Sequence, residues 1–167
     1  MRRGAWLVPL AVACGDPTVR GGIGRVRIAL IETNDTVRFE IPVTALRCGG
    51  AERGGAGLLV HGERFGQGVL VWLRGERPDT GSYPLLTRGD TVAPRGAIAA
   101  VRFLVGDVAH GLTLDDGVVT VTRAAPPFEL AIRGRGVETA VAAQRTAAVE
   151  LERVTLGPDT ASCRTQL

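Results

Sequence analysis

Asp79-Thr80-Gly81-Ser82 is the stretch where the chain concentrates groups that could do chemistry: a carboxylic acid, two hydroxyls and a glycine within four positions. An aspartate that moves protons in hydrolysis works as one of two, held so close that they share a proton. This sequence has a single Asp-Thr-Gly. Arg77 and Pro78 precede it, where a buried acid of that kind needs an apolar strand. Proline cannot donate a ladder hydrogen bond, and an arginine would charge the approach. Pro78-Asp79-Thr80-Gly81 is by contrast good turn chemistry: proline fixes φ, the aspartate bonds its own backbone, and glycine permits positive φ. Asp79 is expected in a turn.

The other chemistries are sparse. Asp-Thr-Gly-Ser is also the loop motif of aspartic proteases, but a homodimer would be needed to supply the second acid. Leu104-Val105-Gly106 imitates that family's later apolar segment and follows Asp79 too closely. Ser82 and Ser162 are the only serines, and neither sits in Gly-x-Ser-x-Gly. Ser82 could pair with His61 or His110, although nothing in the sequence demands it. There is no Cys-x-x-Cys and no His-x-x-x-His, so no metal site is expected and no cofactor is implied. Trp72 alternates with Val71 and Leu73 and shares its face with Leu70. It could offer a stacking surface for a sugar, but a place in the core is the favoured reading.

The elements that must position these residues read as strands. In Arg25–Leu30 and Thr36–Val43 apolar and charged residues alternate with period two, and Thr33-Asn34-Asp35 is the turn between them. Residues 48–57 form a glycine-rich loop with no phosphate-binding ending. Strands follow at 58–63, 68–75 and 96–106. Residues 109–114 and 118–123 flank Asp115-Asp116-Gly117, which reads as a hairpin turn. Residues 128–136 form a further strand. Residues 138–154 suit a helix by their alanines and a strand by the alternation at their end, and a strand is preferred. The expected fold is all-β: an antiparallel sandwich or barrel-like sandwich of about eight or nine short strands.

The N-terminus carries an address. Arg2 and Arg3 precede an apolar run from Gly4 to Ala13, too short to cross a bilayer, and Ala11-Val12-Ala13-Cys14 follows. This order resembles a bacterial lipoprotein signal peptide ending in a lipobox, with Ala11 where that family usually has leucine. The resemblance implies a signal peptide at 1–13 and diacylglycerol on the Cys14 sulfur. It implies a lipidated tether at 14–22 before a single domain at 23–167. Gly15 follows the lipidated position, so an aspartate-type inner-membrane retention signal is absent there. In an oxidising compartment a disulfide between Cys48 and Cys163 is the favoured expectation, with two free thiols as the alternative. Gly81-Ser82-Tyr83-Pro84-Leu85 and Asp116-Gly117-Val118-Val119-Thr120-Val121-Thr122 resemble, over residues 58–156, small uncharacterised all-β bacterial lipoproteins. That family carries no activity to transfer.

Charge narrows the partners. All 20 basic residues are arginine, set against 17 acids and scattered singly among them. No basic stripe marks a nucleic-acid binder. The expected protein is a non-catalytic cell-envelope lipoprotein, a binding or structural module held by its lipid. An envelope protein or polysaccharide is its expected partner. A small envelope hydrolase, acting through Asp79 or a serine–histidine pair, is the alternative.

Overall fold

The computed structural model describes residues 22–31, 33–48, 57–75, 77–87, 89–90, 92–125, 128–138, 146–156 and 161–162. Among the described residues there are ten strands and no helix. They are β1 (Gly22–Leu30), β2 (Thr36–Cys48), β3 (Gly57–Arg64), β4 (Gln67–Arg74), β5 (Gly81–Pro84), β6 (Ala97–Val105), β7 (Val108–Arg123), β8 (Phe128–Glu138), β9 (Thr146–Leu156) and β10 (Ala161–Ser162). The expected signal peptide, Cys14, residues 49–56 of the glycine-rich segment and Cys163 lie outside the described residues, while Cys48 ends β2 and Gly57 begins β3.

Eight strands close on themselves. Each pairs antiparallel with its neighbours in the order β1-β9-β8-β7-β6-β4-β3-β2, and β2 returns to β1. The result is an up-and-down barrel, an architecture that leaves no free sheet edge in the wall. The all-β expectation holds, and of the two antiparallel forms the chain adopts the barrel. Its turns at 31–35, 65–66 and 106–107 lie at one end, called the upper end below. At the lower end β5 pairs with the last part of β7, and β10 adds a short parallel segment to β2.

Alternation decides which residues face inward. Val26, Ile28 and Leu30 of β1 are buried while Arg25 and Arg27 are exposed, and β2 repeats this with Phe39, Ile41 and Val43 against Arg38 and Glu40. The inward side chains of all the long strands join into one apolar cluster, with Tyr83 and Leu85 of the β5 region at its lower end. An eight-stranded barrel is just wide enough for side chains to fill it.

Two expectations need correction. Asp115-Asp116-Gly117 is not a hairpin turn. β7 runs without a break from Val108 to Arg123, and the hairpin to β6 turns instead at Gly106-Asp107. The three turn-forming residues are absorbed by a bulge between Leu114 and Asp116, where β7 passes from β6 to β5. A bulge admits an extra residue and bends the strand, as a barrel wall requires. Gly117 has φ of 126°, and a Cβ there would collide with the Arg133 carbonyl oxygen of β8. The glycine thus serves a close strand approach rather than a turn. In the ambiguous segment, residues 146–156 form strand β9, which closes the barrel against β1. Tertiary pairing outweighs the helix propensity of the alanines there.

Candidate functional site

Asp79 lies in the loop leading into β5, and its neighbours hold it there. The side chain of Tyr83 is inside the barrel and fully buried. The Tyr83 hydroxyl accepts a hydrogen bond from the Asp79 backbone N–H at 2.9 Å. Its single proton is shared between the Asp79 carbonyl oxygen at 3.0 Å and Oδ1 at 2.9 Å. Arg95 Nη1 is 3.1 Å from the same Oδ1, and the Arg95 guanidinium lies 4.3 Å from the Tyr83 ring centroid. A tyrosine that bonds the backbone four residues upstream pins a corner of a β fold. The hydrogen bond from Tyr83, helped by the Asp79 backbone and Arg95, holds the Asp79 carboxyl below its ordinary value of 3.8. Burial, with the neighbouring carboxylate, raises the Tyr83 phenol above 10.0. A proton-carrying acid pair needs one carboxyl raised, not lowered. Asp79 is 70% exposed at its side chain, as a turn residue would be.

This staple has a measurable signature. Tyr83→Phe is expected to lower stability by about 1–3 kcal/mol, the loss of a buried hydrogen-bonding group, in urea unfolding. It also changes the pH profile. The Asp79 contribution is complete above the ordinary carboxyl value and fades as pH falls through its lowered one. Tyr83 adds a loss on the alkaline side, because above about pH 10 the unfolded chain ionises this phenol first. Tyr83→Phe should weaken the first dependence and abolish the second. Equal profiles for the two proteins would show that the staple does not form.

His110 is where the sequence reading was most incomplete. It lies inside the barrel near the upper end, on β7, opposite Phe103 of β6. The two rings stack at 5.2 Å with 20° between their planes. His110 Nδ1 is 2.6 Å from Glu138 Oε1, and both side chains are buried, 8% and 2% exposed. In the tautomer whose Nδ1 donates to the Glu138 carboxyl, Nε2 is left for another partner. That is the base-and-orienter half of a hydrolytic triad. The nucleophile is missing from it. Ser82 pairs with Thr120, ten positions along β7 from His110, which at strand rise is roughly 33 Å. The structure does not bring Asp79, Ser82 and His110 together.

The remaining candidates are on the outer wall. His61 of β3 bonds Thr44 Oγ1 of β2 at 3.1 Å. Trp72 of β4 corrects the expected core placement: it is half-buried on the outer side, in register with Leu59 and Ile98, while Val71 and Leu73 fill the interior. Its indole Nε1 is buried, and among the described residues it has no hydrogen-bond partner. Among the described residues no group of three or more His, Cys, Asp or Glu side chains could hold a metal ion. Sequence reasoning missed Glu138 because it falls in the segment whose helix or strand character was open. The alternation Gly134, Gly136, Glu138 along β8 was the available signal.

Comparisons with protein families, with curated proteins and with solved structures find no match for this chain.

Proposed function

We propose that the chain is a non-catalytic cell-envelope module, exported and held to a membrane by lipid on Cys14. The observation that carries the non-catalytic reading is the exposed, stapled Asp79, an acid spent on a corner of the fold. The separation of Ser82 from His110 along β7 supports the same reading against a serine–histidine hydrolase. Two acyl chains on one cysteine would give firm anchoring, where one gives marginal binding. The tether would enter the barrel at the start of β1, at the lower end. The upper turns and the upper wall would then face away from the membrane.

A disulfide between Cys48 and Cys163 belongs to this proposal. β10 pairs parallel with β2 so that Ser162 stands opposite Arg47. Each of these residues immediately precedes one of the two cysteines. Neighbouring strands are about 4.8 Å apart, within the Cα separation that a disulfide spans.

The intact mass of protein taken from its host's membrane fraction tests both parts. The expected mass begins at Cys14 and includes acyl chains, with Cys48 and Cys163 alkylated only after reduction. A full-length, unmodified mass with free thiols would overturn the envelope reading.

A further inference from the structure

We infer that the outer face of β1, β2, β8 and β9 is a binding site for an acidic polysaccharide, with uronate carboxylates held by arginines. The inference rests on the module reading and gives it a ligand class.

The site exists only in the folded barrel. Along the chain its arginines are single residues between acids and apolar positions. Strand register gathers them. Arg38, Arg27, Glu150 and Arg133 form one row across β2, β1, β9 and β8, about 14 Å long at ordinary strand spacing. Ala29, Ala148, Arg135 and Asp116 form the row beside it. The long side chains of the first row make a ridge, and the two alanines leave a trough. The members of these rows on β1, β9, β8 and β7 line an open groove of about 600 Å³, and Arg38 of β2 lies beside it. That is the size of an ordinary small-molecule site.

The two rows hold four arginines and two acids, so positive charge is in excess on this face. Arg27 and Arg38 stand directly opposite across β1 and β2, a like-charge pairing that weakens a sheet. Glu150 serves two arginines, at 3.8 Å from Arg27 Nη1 and 3.2 Å from Arg133 Nε. Among the described residues Arg38 and Arg135 have no ion-pair partner. A surface built for solubility would interleave its charges and would need no hollow.

The pattern selects the ligand. Arginine presents a planar fork that matches carboxylates and phosphates. A single compact anion cannot bridge a row of this length, so the anionic groups must be spaced along a chain. Acids interrupt the row: Glu150 and Asp116 within the groove, and Glu40 bonded to Arg25 at 2.9 Å beside it. They would repel nucleic acid, which carries a charge about every 1.7 Å of duplex. A sparsely charged glycan fits both features. Its carboxylates meet the arginines, and its hydroxyls donate to Glu150 and Asp116. The alanine floor accepts the apolar face of a sugar ring.

Calorimetric titration of the purified protein with oligogalacturonate, oligoalginate and hyaluronate fragments tests this. Saturable, salt-sensitive binding to at least one is expected, lost on methyl esterification of its carboxylates. Arg133→Ala and Arg135→Ala should each weaken it about tenfold, the loss of one charge-assisted contact, with the melting temperature unchanged. Arg102→Ala, on the opposite wall, should leave it unaltered. No saturable binding to any of the three would overturn the inference. So would equal binding of the esters, or tighter binding of single-stranded DNA or of anionic vesicles. A protein that binds the glycan but carries no lipid would remove the anchoring reading alone. An anchored protein that does not bind would remove only this inference.

Discussion

His110→Ala is expected to lower the free energy of unfolding by about 3 kcal/mol, because it leaves the buried Glu138 carboxyl without its hydrogen-bond partner. Loss of the ring from its stack on Phe103 adds a cavity in the same place. The double replacement His110→Phe with Glu138→Leu should recover most of that loss. Replacing both partners of a buried hydrogen bond by apolar side chains of similar shape is often nearly neutral or stabilising. Guanidinium unfolding of the three proteins measures both effects. A silent single variant would mean that the pair is not buried as described. A double variant as weak as the single would mean that its hydrogen bond carries net stability. The comparison also isolates any functional role, since the double variant should fold yet lack the Nε2 that points away from Glu138.

The proposed disulfide predicts that Cys48→Ser and Cys163→Ser each destabilise the protein by about 4–5 kcal/mol, the loop-entropy value for closing more than a hundred residues. The double variant should be no worse than either single one, because both remove the same bond. Reduction of the wild type should reproduce the loss. Identical unfolding curves with and without reductant would remove the disulfide from the proposal. Cys14→Ser should leave these curves unchanged and release the protein from the membrane.

Much of the wall was legible because one face of each strand is wet. Arg25 to Leu30 and Thr36 to Val43 announce their inward sides by strict alternation, and those sides are the ones buried. The turn reading of Pro78 to Gly81 was also legible, since each residue there has its own local reason. Asp115 to Gly117 misled because the same residues that make a turn also make a bulge. Only the partner strand decides between them, and no local pattern reports it. Glu138 and the arginine rows were hidden for a related reason. His110 meets Glu138, and Glu150 meets both Arg27 and Arg133, through pairings between residues far apart in sequence. Register is a property of the assembled sheet, so such sites cannot be read along a single strand.

The double pairing of β1, with β2 on one side and β9 on the other, sets an order of events. A chain exported from its N-terminus presents β1 first, but β1 finds its second partner only after residues 147–152 have emerged. Until then the growing sheet has two raw edges. If the first residue is already fastened to a bilayer, those edges wait at a surface crowded with other chains. Closure over so long a sequence separation is also intrinsically slow. Until β9 arrives, the unpaired edge of β1 is the part of the wall most open to pairing with a wrong strand.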